Sequence, residues 1–133
     1  MRVLLDTPEI AVKCDDDAKV ITMVRSRVEL PREYAGLRAF YRELVGSFDG
    51  IDRPRYALIV DGRAPVGRND EVFEAVQTEF AEQLFGDYRK VLALVTSTVG
   101  KLQIGRYNAS RDMDATEVFF DIDEAFAYVA DRG

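Results

Sequence analysis

Histidine is missing from this chain, and only one of its 133 residues is a cysteine. Without histidine, the commonest general base and the commonest zinc ligand are both absent. Ser-His-Asp, Cys-His and histidine-zinc chemistries are therefore excluded for these residues. Cys14 stands alone, so no intramolecular disulfide can form and nothing points to an oxidising compartment. Long apolar runs are also lacking, because Asp, Arg or Lys interrupts every stretch before it reaches transmembrane length. The opening MRVLLDTPE has only Val3-Leu4-Leu5 before Asp6, too short for the apolar segment of a secretory leader, which makes a cytoplasmic protein the expectation. Positive charge is in deficit: 18 Lys and Arg face 24 Asp and Glu, a net charge of -6. That balance opposes nonspecific adhesion to nucleic acid or to an anionic membrane surface, so neither a nucleic-acid partner nor stable membrane insertion is expected. Local basic patches remain compatible with it.

What is present is ordinary globular material. Hydrophobic residues make up 47% and charged residues 32%, and residues 1–133 are expected to form a single domain with a core of its own. The organising stretch runs from Arg55 to Glu71. Its apolar run YALIV, bounded by Pro54 and by Asp61-Gly62, reads as a central strand buried on both faces. A loop with two glycines and a proline follows. Asn69, Asp70 and Glu71 then make a polar, acidic opening suited to a helix N-terminus. Strand, loop and helix N-terminus in that order form the edge of an open α/β sheet, where ligands and partners dock.

Taken in order, residues 2–5 and Ile10 to Cys14 read as short strands, with Asp15-Asp16-Asp17 as a turn. The three aspartates lack the spaced oxygens, the glycine and the distant glutamate of a calcium loop. Ala18 to Arg25 is apolar on both faces and pairs back as a hairpin. Pro31 suits a first helical turn, and Leu37, Phe40, Tyr41, Leu44 and Val45 at three-and-four spacing predict a helix that stops near Gly46. Phe73, Val76, Phe80 and Leu84 predict a second helix, closed by Gly86 as a left-handed cap. Lys90 to Val95 is a second interior strand, parallel to the first. Thr96, Ser97 or Thr98 caps a short helix carrying Val99, Leu102 and Tyr107. Thr116 to Phe120 is the last strand. Asp121 and Glu124 open a final helix whose expected buried face is Ala125, Phe126 and Val129. The fold class is therefore α/β: one mixed sheet with an N-terminal antiparallel hairpin, then parallel βαβ units, and about four helices.

Candidate chemistry is sparse. Gly62 and Gly67 have the separation of a phosphate-binding loop, but Arg68 and Asn69 occupy the lysine and hydroxyl positions. The segment Val99-Gly100-Lys101-Leu102 lacks the upstream glycine. Neither reads as a nucleotide site; the loop glycines are expected to serve backbone conformations closed to other residues. The basic residues are a better lead. Arg63 and Arg68 follow the central strand, while Lys101 and Arg106 follow its parallel neighbour. All four leave the same end of the sheet, beside helix N-termini. Either they converge as a local positive site, or each pairs with a surface carboxylate and contributes little. Asp61, at the end of the central strand, is placed for function or for accepting hydrogen bonds from loop amides. Thr98 and its neighbours suit either phosphorylation or helix capping. No carboxylate pair is placed as acid and base. The chain reads as a non-enzyme without a cofactor or a metal.

The stretches YALIVDGR, KVLALVTSTVGKLQIGR and VFFDIDEAFAYV resemble the STAS superfamily, and more specifically the SpoIIAA-like proteins related to anti-sigma-factor antagonists. The resemblance implies a small α/β domain that binds a partner protein without catalysis. In relatives likened to lipid-transfer domains, it implies an apolar ligand. In the antagonists a serine at the N-terminus of the helix after the central strand is phosphorylated; here Arg68-Asn69-Asp70 stands in its place. The expected function is regulatory and signalling, of bacterial type. Docking would use Asp61, Arg63, Arg68, Asn69, Thr98, Lys101 and Arg106, with a homodimer through the exposed N-terminal strands as a further expectation. The alternative is a carrier or sensor of a small apolar or anionic ligand, lined by Phe40, Tyr41, Phe73, Phe80 and Phe126.

Overall fold

A computed structural model describes residues 1–64, 70–95, 117–119 and 121–130. Six strands form one sheet in the order in which they occur along the chain. They are β1 (Arg2–Asp6), β2 (Ile10–Asp15), β3 (Val20–Arg25), β4 (Ala57–Asp61), β5 (Lys90–Leu94) and β6 (Glu117–Phe119). Pairing is antiparallel from β1 to β2 and from β2 to β3, then parallel through β4, β5 and β6. The mixed sheet with its leading hairpin is thus as the sequence predicts. Three α-helices are present among the described residues rather than about four: α1 (Tyr34–Gly46), α2 (Glu71–Phe85) and α3 (Ile122–Ala130). The helix expected over Thr98 to Tyr107 lies outside the described residues.

The core has two parts because the sheet is covered on both faces. On one face, Ile10, Val12, Cys14, Ile21, Met23 and Leu58 pack against α1 and α2 through Leu37, Phe40, Leu44, Val76, Phe80 and Leu84. On the other face, Val20, Ala57, Ile59, Leu92 and Leu94 pack against Ala125 and Val129 of α3. Ala57, Leu58 and Ile59 have no exposed surface, which is the signature of a strand buried on both sides and accounts for its unbroken apolar run. α1 and α2 are also tied on their outer surface. Arg38 grips Glu79 with contacts from 2.6 to 3.1 Å, and the Tyr41 hydroxyl donates to Gln77 Oε1.

Local details depart from the expectations in instructive ways. α1 starts at Tyr34, so Pro31 precedes it instead of occupying its first turn. A Cβ built on Gly36 would come within 3.2 Å of Pro31 Cβ, so the ring lies against the helix opening. Gly86 closes α2 by donating its N–H to Glu82 O, but with an extended backbone (φ -75°); the left-handed residue is its neighbour Asp87 (φ 73°). Gly62 does not sit at positive φ, and an added Cβ there would meet nothing closer than Leu94 O at 3.7 Å. The position does not require glycine. Among the described glycines, Gly50, at φ 84°, is where left-handed geometry falls. Phe126 is 40% exposed, so the buried stripe of α3 is Ala125 and Val129 without it. Lys19, at φ 60°, belongs to the hairpin turn, and β3 begins one residue later.

Candidate functional site at the C-terminal ends of the parallel strands

β4 ends in an acid. Ile59 and Asp61 share the face towards α3, since alternate residues of a strand point the same way. In register, Val24, Asp61, Leu94 and Phe119 form a row across the ends of four parallel strands. Gly62 donates its N–H to Leu94 O at 3.1 Å, so the chain leaves β4 beside the end of β5. The turns that follow these two strands start from one rim of the sheet.

Among the described residues Asp61 is the only charged one that is buried, 7% exposed, and a carboxylate there needs compensation. Arg63 supplies it. Its guanidinium approaches as a fork, Nε to Oδ1 at 2.9 Å and Nη2 to Oδ2 at 2.8 Å, and its backbone N–H adds a third bond to Oδ1 at 3.2 Å. The side-chain bonds to Arg63 hold the Asp61 carboxyl below the usual carboxylate range against the opposing effect of burial. The Arg63 guanidinium is pushed up mainly by Asp61, with Asp121 contributing through its charge, which brings the turn after β6 to the same rim. The loop-amide role expected for Asp61 is present, and the fork adds an ion pair that sequence spacing alone did not indicate.

Two helix N-termini open from this end of the sheet. Asp70 caps α2, its carboxylate accepting from Phe73 N at 3.2 Å, and Glu71 and Glu74 put negative charge where the helix dipole is positive. Asp121 caps α3, accepting from Asp123 N at 2.7 Å and Glu124 N at 3.3 Å. Both N-termini therefore carry their own carboxylates. Replacing Asp70 by alanine is expected to destabilise the fold by about 1 kcal/mol, the usual loss of an N-cap, read as a lower urea midpoint with unchanged slope.

Of the seven residues expected at this site, Asp61 and Arg63 are described, and they bind each other. Arg68, Asn69, Thr98, Lys101 and Arg106 lie outside the described residues. Asp121 joins the site although the sequence marked it only as a helix cap; its proximity to Arg63 comes from pairing β5 with β6, a contact distant in sequence. The five aromatics expected around an apolar ligand do not share one lining. Phe40, Tyr41 and Phe80 stack in series with centroids 6.1 and 5.7 Å apart on the α1–α2 side, whereas Phe126 lies on α3 across the sheet.

A second polar cluster sits at the opposite end of the sheet. Asp16 accepts from Arg2 at 2.8 and 3.0 Å and from the Tyr56 hydroxyl at 2.7 Å, while the buried Cys14 thiol lies 3.4 Å from Asp16 Oδ1. Asp16 pushes the Tyr56 hydroxyl up to about 12, chiefly through the hydrogen bond, and burial raises the Cys14 thiol. The cluster ties β1, the β2–β3 turn and the start of β4 together. Asp15 completes that turn by accepting from the amides of Asp17 and Ala18, so two of the three aspartates have structural bonds.

The fold and this rim define a small mixed-sheet α/β domain with an internally paired Asp-Arg site at its strand ends. No protein-family model matches the chain, and no curated protein matches it. No helix among the described residues is long and apolar enough to cross a membrane.

Proposed function

We propose that this chain is a non-catalytic regulatory module of STAS-like type, which docks a partner protein through the loop after β4 and the adjacent helix N-termini. The observation that carries the reading is the rim itself: the ends of β4 and β5 lie side by side, joined by the Gly62–Leu94 hydrogen bond, with Arg63 held upright against Asp61. A doubly wound sheet binds small ligands where its strand order reverses and neighbouring loops part to opposite faces. Here the order runs from β1 to β6 without reversal, and α1 and α2 share one face, which supports a docking surface over a switch-point crevice. Surfaces of that kind, on loops held by a rigid scaffold, suit macromolecular docking. The resemblance of YALIVDGR and VFFDIDEAFAYV to the SpoIIAA-like proteins points the same way.

Arg63→Glu with Arg68→Glu is the test. Affinity capture from the native cell should lose its co-purifying partner with the double reversal while the unfolding midpoint shows that the variant remains folded. Undiminished recovery of the partner would count against this surface.

A further inference from the structure

β1 is held to the fold more lightly than the strands beside it. β2, β3, β4 and β5 each bury three or more residues, whereas β1 buries none. Arg2, Val3 and Asp6 are exposed, and Leu4 and Leu5 are half-buried against the core on the α1–α2 side. β1 is at the edge of the sheet and pairs with β2 alone, and a register shift between Val3 and Leu5 disrupts even that ladder.

The two ends of the strand are fastened by different means. At the Asp6 end, the turn from Thr7 to Glu9 is bonded to itself and to the residues that end β3. Thr7 N donates to Ile10 O at 2.9 Å, and Thr7 Oγ1 accepts from Ile10 N at 3.1 Å. Ser26 donates from Oγ to Pro8 O at 2.6 Å and from N to Glu9 O at 3.0 Å, and Arg25 Nε donates to Glu9 O at 3.2 Å. At the Arg2 end, the fastening beyond the ladder is a side-chain fork onto Asp16, between groups 57% and 44% exposed. Exposed pairs of this kind contribute little and are screened by salt. Asp16 is also held by the Tyr56 hydroxyl, so its half of the latch stays in place without Arg2.

Arg2 lies opposite Cys14 in the register, and its Nη2 is 3.7 Å from Sγ. The thiol donates to Asp16 Oδ1 and has no exposed surface, and burial together with Asp16 favours its protonated, unreactive form. We infer that β1 is a strap, hinged at the Thr7–Glu9 turn and latched by Arg2 on Asp16, which opens while the rest of the domain stays folded and thereby uncovers Cys14. Opening gives up two half-buried leucines and one irregular ladder, leaving both helix-covered cores intact. It belongs to the low-stability end of the local openings that a folded domain undergoes. None of the strap, hinge or latch residues is assigned to the rim, so the two readings stand or fall separately.

Labelling of the full chain with 5,5′-dithiobis(2-nitrobenzoate), in which the Cys14 thiolate displaces a coloured aryl thiolate, tests the strap. The rate should be far below that of the urea-unfolded chain, yet rise only weakly with low urea, because opening exposes much less surface than global unfolding. Arg2→Ala should speed labelling about 1.5- to 5-fold, the range open to an exposed ion pair. Raising the salt from about 0.05 to about 0.5 M should speed the wild type similarly and leave Arg2→Ala nearly unchanged. Hydrogen exchange read by NMR follows the opening without the thiol. Amides bonded across β1 and β2 should be less protected than those across β2 and β3, and Arg2→Ala should lower their protection by the factor that it adds to labelling. Labelling with the full urea dependence of global unfolding overturns the inference, as does equal protection of the two ladders. Faster labelling of Arg2→Ala with unchanged exchange also overturns it, since Arg2 would then merely shield the sulfur.

Discussion

Leu58→Ala and Ile59→Ala, at consecutive positions of β4, are each expected to lower the unfolding free energy by about 2–5 kcal/mol. On a strand with one wet face, neighbours differ sharply, because one side chain is buried and the next is solvated. Here the two point into different cores. Leu58 belongs to the α1–α2 side and Ile59 to the α3 side, and neither has any exposed surface. Both truncations therefore leave a cavity as well as losing transfer free energy. Their effects should be close to additive in Leu58→Ala/Ile59→Ala, since the side chains touch opposite sets of neighbours across the sheet. Urea unfolding of the three variants provides the check. A cost near zero for Ile59→Ala with a large cost for Leu58→Ala would mean that α3 does not seal its face. A double variant far from the sum would mean that the two cores are one.

The same strand shows how much of this fold the sequence makes legible. YALIV between Pro54 and Asp61 announces double burial, because only a strand covered on both faces can omit the polar alternate. The stripes of α1 and α2 are equally plain, with Leu37, Phe40 and Leu44 on one and Val76, Phe80 and Leu84 on the other, because each helix has a distinct polar side. α3 is harder for the opposite reason. Its sequence IDEAFAYVA is apolar almost all round, so spacing selects no unique face and the sheet decides that Ala125 and Val129 go in while Phe126 stays out. The closure of α2 has a similar logic. Propensity assigns the left-handed residue to Gly86, yet Gly86 stays extended and Asp87, a residue type that tolerates the αL region, takes the positive φ.

Side-chain partnerships were legible only where they are local. Asp61 and Arg63 lie two residues apart at a strand end, and the sequence suggests a carboxylate bonded by loop amides. The guanidinium fork adds two side-chain bonds from Arg63 that residue type and spacing do not specify. Asp121 near Arg63, and Arg2 and Tyr56 on Asp16, join segments separated by many residues. Their meeting is a consequence of strand order and register, which composition and periodicity do not encode. The strictly sequential order β1 to β6 is the clearest case: hydrophobic runs give the strands but not the order in which they pair.

Asp61→Asn should destabilise the protein at neutral pH by about 1.5–3 kcal/mol, the range for a hydrogen bond to a charged group. The lower end is favoured because the Arg63 side chain is 36% exposed and solvent screens part of the attraction. Asparagine keeps the size and one acceptor, so the loop amide of Arg63 retains a partner while the ionic fork is lost. The effect carries a sign in pH. Arg63 holds the folded-state carboxyl below its unfolded value, so the native state binds fewer protons than the unfolded state as the pH falls towards the folded pKa. The stabilisation is thus fully present above the unfolded aspartate pKa of about 3.9 and fades as the pH drops through the folded value. The gap between wild type and Asp61→Asn, measured by urea unfolding at successive pH values, should be constant near neutrality and narrow below about pH 4. A gap that persisted unchanged into acid would show that Asp61 acts through its shape and not its charge. Arg63 would then be free to turn outward, and the rim would present a mobile cation in place of a fixed pair.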